Sequence, residues 1–176
     1  MKKRRNNIEG PSKFYRDYVH WDPNNANTFV WSDGTANDYT NWANNEPNDN
    51  FQYENICVEM YAHDDYDIGH WNDLTCDREL AFVCKTRASS KYPDVPNPRA
   101  KCKDLYSDYD KFKSDCYKLN KDQPKTWDEA ESACGTIEKG HLVSILTESE
   151  QAFVLNEMKS EMTWIGLSDK QVGTIN

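Results

Sequence analysis

Two short motifs, Glu46-Pro47-Asn48 and Trp71-Asn72-Asp73, decide the fold; Cys57 lies between them, and Cys76 and Cys84 follow. Within 28 residues this part of the chain concentrates carboxylate and amide side chains, namely Glu46, Asn48, Asp49, Glu54, Asn72 and Asp73. Proteins bind Ca²⁺ through about 6–8 such oxygen ligands at roughly 2.3–2.6 Å. The motifs therefore indicate a calcium site built from two loops, although charge alone would favour a solvated acidic surface.

The cysteines indicate a covalent framework. There are six of them: Cys57, Cys76, Cys84, Cys102, Cys116 and Cys134. No two form a C-x-x-C pair and no histidine stands at zinc-finger spacing, so disulfides are favoured over a metal site. Disulfides persist in oxidising compartments, which predicts an extracellular or secreted protein. Since no apolar segment follows Met1–Arg5, where a signal peptide would have one, we expect the chain to be a piece of a longer extracellular protein.

Composition restricts both the partners and the core. The 176 residues carry a net charge of −9, a pI of about 4.9 and a mean hydropathy of −0.98. An acidic chain lacks the clustered Lys and Arg that bind phosphates, which argues against nucleic acid as a partner. No stretch approaches the roughly 18–20 apolar residues of a transmembrane segment. Hydrophobic residues make up 37% and aromatic residues 12%, which predicts a small core built on large rings.

The first half of the chain is typical of loops and strands. A basic, irregular segment, residues 1–26, precedes the motif region. The β-forming runs Ile56–Tyr61 and Leu80–Lys85 are predicted to be strands. Residues 86–101 contain three prolines among polar residues, which predicts a semi-extended linker.

The second half has a helical pattern. Thr126 and Glu129, and again Thr147 and Glu150, fit the capping box, in which a Thr oxygen and a Glu three residues later bind free amides at a helix start. They predict two helices, the first ending near Gly135 and the second running to about residue 161. The first carries Trp127, Ala130 and Cys134 on one face, and the second carries Phe153, Val154 and Met158. The apolar run Trp164-Ile165-Gly166-Leu167 then predicts a strand.

Taken in order, these motifs resemble the C-type lectin family. Beyond the two motifs quoted first, the matching segments are residues 28–34 (TFVWSDG), 39–42 (YTNW), 81–84 (AFVC), 127–134, 142–145 (LVSI) and 164–167 (WIGL). The resemblance implies an α+β fold with two helices, small antiparallel sheets and a long calcium-binding loop region. It also implies a binding protein without catalysis.

The resemblance assigns roles to the polar residues of the motifs. In the family, the calcium that binds sugar is held at the positions matching Glu46, Asn48, Glu54, Asn72 and Asp73, and the sugar itself contacts the first four. Ca²⁺ is thus the implied cofactor, and glycans or glycoproteins are the implied partners. A vicinal diol offers lone pairs to the metal, donates its protons to carboxylates and accepts from amides, so paired Glu and Asn suit it. The E-P-N order is similar to that of members that bind mannose, fucose or N-acetylglucosamine, and in the family the peptide before the matching proline is cis.

Two details depart from the usual pattern. Glu54 lies three residues before Cys57, where related sites often have two. Asp22 and Asp49 match two ligands of a second, supporting calcium site, but Ala26 stands where a carboxylate is usual.

Two other functions remain open. A lectin-like domain that binds proteins and not sugar would share the fold. A glycosidase would use a pair of carboxylates, one of them with a raised pKa in an apolar setting. The amide-rich surroundings argue against the glycosidase.

The order of the segments is reversed relative to the family. Residues 27–85 resemble the C-terminal half of a lectin domain, and residues 102–176 resemble the N-terminal half. One account is a single domain in permuted order, closed across residues 86–101. The other is two partial domains from a longer protein in which neighbouring lectin domains follow one another, as in proteins of the mannose-receptor type.

Disulfide pairing separates these accounts. The resemblance implies the pairs Cys57–Cys76 and Cys102–Cys116. If the two halves close on each other, the remaining Cys84 and Cys134 form the third pair. If they do not, both thiols stay free or pair between chains.

Overall fold

The computed structural model describes residues 29–48, 55–62, 67–87, 102, 109–137, 139–158 and 162–170. Their strands are β1 (Val30–Trp31), β2 (Ile56–Met60), β3 (Trp71–Thr75), β4 (Leu80–Arg87), β5 (Asp110–Phe112), β6 (Asp115–Lys125), β7 (His141–Leu142) and β8 (Thr163–Ser168). Their helices are α1 (Trp127–Gly135) and α2 (Glu148–Met158). Neither helix is long and apolar enough to cross a membrane.

All strands of the described residues join one sheet. Its order is β3-β2-β8-β4-β6-β5, with β1 on β8 and β7 on β4. Strand β8 is antiparallel to β2 and parallel to β4. Strand β8 from the second half of the chain therefore lies between β2 and β4 from the first half, and the two helices complete the predicted α+β fold.

Several element boundaries differ from the sequence-based expectation. Strand β4 continues to Arg87, two residues into the segment predicted as linker, because Thr86 and Arg87 pair with Cys116 and Asp115 of β6. The pattern did not predict β6, which runs for 11 residues, since its second half is polar and contains a proline. Residues 1–28 and 88–101, and the predicted end of the second helix at residues 159–161, lie outside the described residues.

Helix α1 forms as its capping box predicts. The Glu129 carboxylate accepts the backbone N–H of Thr126 at 3.2 Å. Trp127, Ala130 and Cys134 are buried, and their spacing of three and four residues places them on one helix face. The indole of Trp127 donates to the carbonyl of Ile165 at 2.9 Å, which fixes the helix against β8.

The second predicted capping box is only half formed. The Glu150 backbone N–H donates to Thr147 Oγ1 at 3.2 Å, but the Glu150 carboxylate does not reach back to Thr147. It accepts the Leu146 amide at 3.0 Å, the Lys85 ammonium at 2.6 Å and the Tyr117 hydroxyl at 2.6 Å. Because the carboxylate is buried, it pairs with the Lys85 cation of β4. This pair holds α2 against the sheet. Burial and this carboxylate raise the pKa of Tyr117 far above its ordinary value.

All six cysteines are paired in the structure. The pairs are Cys57–Cys76, Cys84–Cys134 and Cys102–Cys116, with Cα–Cα distances of 5.0, 5.3 and 5.6 Å. These distances are ordinary for disulfides. The Cys84–Cys134 bond joins β4 to α1 and closes the two halves of the chain on each other.

Removing the Cys84–Cys134 bond should cost more stability than removing Cys102–Cys116. The two bonds close loops with sequence separations of 50 and 14 residues, which in the chain-entropy model correspond to about 4 and about 3 kcal/mol. Urea unfolding of the two double Cys→Ala variants measures the difference. Peptide mapping of the non-reduced monomer should find Cys84 linked to Cys134 within one chain; a link found only between chains would contradict the fold.

Candidate functional site

Trp71 anchors the start of β3. It is fully buried, and its ring packs edge-on against Trp31, Tyr39 and Trp42, with centroid distances of 5.6, 5.8 and 5.8 Å. Its backbone N–H donates to the Asn41 carbonyl at 2.8 Å, and its carbonyl accepts the Ala43 amide at 2.9 Å. The loop that contains the first motif is therefore held alongside the strand that contains the second.

Gln151 of α2 completes this anchor. Its side-chain oxygen accepts the Trp71 indole N–H at 2.9 Å, and its nitrogen donates to the Gly69 carbonyl at 2.6 Å. The pattern predicted that this helix carries the apolar residues Phe153, Val154 and Met158, and it missed Gln151. A buried glutamine can satisfy both ends of its amide only with fixed partners, so Gln151 fixes the chain immediately before β3.

The loop turns sharply to present the first motif. Asn45 has a φ of 67°, in the left-handed region that asparagine tolerates better than most residues. The Glu46 amide donates to the Ala43 carbonyl at 3.1 Å, and the Glu46–Pro47 peptide is cis. These features place the Glu46 and Asn48 side chains beside β3.

The two motifs meet at Asn48. Its backbone N–H lies 3.0 Å from Glu46 Oε2 and 2.8 Å from Asp73 Oδ1, so two carboxylates share one donor. The Asn48 side-chain nitrogen also donates to Glu46 Oε1 at 2.9 Å. The structure thus brings together three of the five predicted ligands: Glu46, Asn48 and Asp73.

The two carboxylates repel each other. Burial and the neighbouring Asp73 carboxylate raise the pKa of Glu46 to about 7, although the hydrogen bonds from Asn48 oppose the shift. A cation between such groups would remove the repulsion and favour both charged forms. Hard oxygen donors of this kind suit Ca²⁺, so the residues present fit a calcium ion.

Asn72 has a different neighbour. Adjacent strand residues point to opposite faces, and Asn72 lies directly across from Glu59 of β2. Its side-chain nitrogen donates to Glu59 Oε1 at 2.9 Å. Burial raises the pKa of Glu59, while the Asn72 hydrogen bond and the nearby Arg78 cation lower it. Glu59 was missed in the sequence, where its signal is a single charge inside an otherwise apolar run.

Three predicted ligands lie outside the described residues: Glu54, Asp49 and Asp22. Within the described ranges, no three His, Cys, Asp or Glu side chains gather as a metal site. Four of the predicted ligands lie in the described residues. Glu46 and Asp73 are carboxylates, and Asn48 and Asn72 are amides. The predicted ligand set therefore stays a prediction.

Comparison with known proteins gives the family. The family model of the C-type lectin domain matches residues 8–86 and 123–175. The chain belongs to the C-type lectin family. C-type lectins are non-catalytic binding proteins, so membership favours a binding function over an enzymatic one.

Individual relatives agree with this assignment. The chain is 37% identical to human lithostathine-1-beta over 95 residues, 51% of the chain and 55% of that protein, so it spans about half the length of this relative. It is 30% identical to human C-type mannose receptor 2 over 146 residues, 79% of the chain but 9% of the receptor. It is 46% identical over 57 residues to the alpha-N-acetylgalactosamine-specific lectin of Patiria pectinifera, 32% of each chain. No solved structure matches the chain.

Replacing Gln151 by Met should destabilise the protein. The Trp71 indole N–H, 2.9 Å from Gln151 Oε1, would lose its acceptor, and an unpaired buried donor costs about 1–3 kcal/mol. Urea unfolding measures the loss, with the exposed Asn156→Ala on the same helix as control. Equal stability of Gln151→Met and the wild type would contradict this role for Gln151.

The stability of the metal-free protein should depend on the ionisation of Glu46. Its pKa is about 7 in the folded chain, against an ordinary value of 4.5. A raised folded-state pKa contributes stability that is fully present below the unfolded-state pKa and is lost as pH rises through the folded-state pKa. The free energy of unfolding should therefore fall between about pH 4.5 and 7.

Glu46→Gln isolates this contribution from the other carboxylates. Urea unfolding in chelator at several pH values should show that the difference between wild type and variant changes over this window. A constant difference would mean that Glu46 titrates normally.

Proposed function

We propose that the protein binds glycans of the mannose, fucose or N-acetylglucosamine type in a calcium-dependent manner. The proposed ligands of the ion are Glu46, Asn48, Glu54, Asn72 and Asp73. The observation that carries the proposal is the convergence of Glu46, Asn48 and Asp73, in which two carboxylates share the Asn48 N–H. Such a pair of carboxylates lowers its free energy by binding a cation.

The chain's own residues supply the polar contacts to the sugar. A bound Ca²⁺ would offer open coordination positions to two neighbouring hydroxyls. Glu46 has acceptor oxygens for a hydroxyl proton, and the Asn48 amide has a second N–H besides the one donated to Glu46. A carboxylate beside an amide matches a hydroxyl that both donates and accepts.

The sugar class follows from the motif. The E-P-N order of residues 46–48 resembles that of mannose-type members, and one relative is a mannose receptor. Another relative is named for N-acetylgalactosamine, so competition among monosaccharides is part of the test. A lectin-like domain that binds a protein is the alternative, and it predicts binding that is indifferent to calcium.

We also propose that the chain comes from a longer extracellular protein with neighbouring lectin domains. One alignment covers 79% of the chain but 9% of mannose receptor 2, so this relative is a much longer protein of which the chain matches a small part. Three disulfides support an extracellular location.

Calorimetric calcium titration, with and without mannose, tests the proposal. We expect calcium binding, mannose binding only in its presence, and weaker competition by galactose than by mannose. Full mannose binding in excess chelator would contradict the calcium-dependent site. Turnover of an offered glycan would instead favour a glycosidase.

Asn48→Asp should weaken mannose binding. The change removes the amide N–H, which lies 2.9 Å from Glu46 Oε1, and adds a third negative group beside Glu46 and Asp73. A lost hydrogen bond to such a group costs about 1–3 kcal/mol, or roughly 5- to 150-fold in affinity. Asn156→Asp makes the same chemical change at an exposed position of α2. This variant should bind mannose like the wild type. Equal loss in both variants would mean that net charge, and not the site, governs binding.

A further inference from the structure

Glu59 is a buried carboxylate in the middle of an apolar strand. All five residues of β2 are buried, and Glu59 is 2% exposed between Val58 and Met60, both fully buried. One of its oxygens, Oε1, accepts the Asn72 side-chain amide at 2.9 Å. Within the part of the chain that the structure describes, the other oxygen, Oε2, is buried without a hydrogen-bond partner.

Stability does not explain this residue. A buried charge is costly unless it is well paired, and an apolar residue of similar volume is often as stable or more so. A carboxylate oxygen without a donor adds to that cost. We therefore expect Glu59 to have a role other than stabilising the core. Its one side-chain hydrogen bond in the described structure is to Asn72.

The chemistry of this hydrogen bond selects one orientation of the Asn72 amide. An asparagine amide has a donor end and an acceptor end that are nearly identical in shape. In its ionised form the Glu59 carboxylate accepts and cannot donate, so it faces the nitrogen end of Asn72, as the hydrogen bond in the structure has it. The carbonyl oxygen is then the end of the amide that Glu59 does not bind.

We infer that Glu59 is a positioning residue that fixes the Asn72 amide so that it offers its oxygen, and not its nitrogen, to a metal ion. This inference rests on the proposed function, in which Asn72 is a calcium ligand. Hydrogen-bonding partners behind metal ligands commonly act in this way, and their loss typically lowers metal affinity about 10- to 100-fold. Glu59 does not itself contact the ion.

Calcium titration of the whole chain with substitutions at position 59 tests the inference. Glu59→Met, close in length and apolar, should lower calcium affinity about 10- to 100-fold. Glu59→Gln can still present an oxygen to Asn72, so it should stay within about 3-fold of the wild type, the amide having two orientations available. Glu59→Val, suited to a buried strand, is the second apolar variant if Met at this position does not fold.

Glu131→Gln is the matched control. Glu131 is a partly buried carboxylate of α1 that accepts the Leu142 amide at 2.8 Å and the Ser32 hydroxyl at 2.9 Å. Its substitution should lower thermal stability without changing calcium affinity. The apolar variants at position 59 should show the opposite pattern: thermal stability like that of the wild type, and lower calcium affinity.

A spectroscopic readout that needs no calcium separates orientation from binding. In metal-free protein, the Asn72 side-chain NH₂ signals in ¹⁵N-correlated NMR should be shifted and slow to exchange, and Glu59→Met should return them to ordinary values. Unchanged signals, or unchanged calcium affinity in both apolar variants, would overturn the inference. If the wild type binds no calcium at all, the proposed function fails first and this role for Glu59 fails with it.

Discussion

The pairing of β8 with both β2 and β4 is the constraint on which the rest of the structure depends. Strand β8 is buried along its whole length, and it inserts between two strands that come from the other half of the chain. Without it, β2 and the adjacent β3 would have no connection to β4 through the sheet. Strand β3 carries Asp73 and aligns the loop of Glu46, and Gln151 from the second half holds Trp71 at its start, so closure of the two halves fixes the candidate site in place.

Among the residues that the structure describes, Glu150, Glu59 and Glu46 are carboxylates that are buried or half-buried, and they are of two kinds. Glu150 is neutralised by Lys85 at 2.6 Å and hydrogen-bonded by Tyr117, and this arrangement holds α2 on the sheet. Glu46 faces another carboxylate, and buried Glu59 has one amide donor to Oε1 and the Arg78 cation nearby. Carboxylates of the first kind stabilise the fold. Those of the second kind lower the stability of their surroundings, as functional residues often do.

Periodic patterns in the sequence were enough to predict part of this structure. The face of α1 and its capping box depend on neighbours three or four residues apart, and both are confirmed. The second capping box was predicted by the same rule but is incomplete, because Lys85 lies 65 residues away in sequence and competes for Glu150. Gln151 and Glu59 were missed for a similar reason, since their partners Trp71 and Asn72 lie on other elements. The convergence of Glu46, Asn48 and Asp73 was predictable only from the motifs' resemblance to a family.

The interleaved order of strands has a consequence for biosynthesis. While the ribosome makes the chain, β2, β3 and β4 are completed long before residues 163–168 exist, and the central position between them stays empty until then. Closing a sheet through such distant contacts is intrinsically slow, since loop-closure entropy must be overcome before the contacts form. The exposed edges of β2 and β4 would be available meanwhile to other strands, so chaperones that shield them should matter more here than for a lectin domain with the usual strand order.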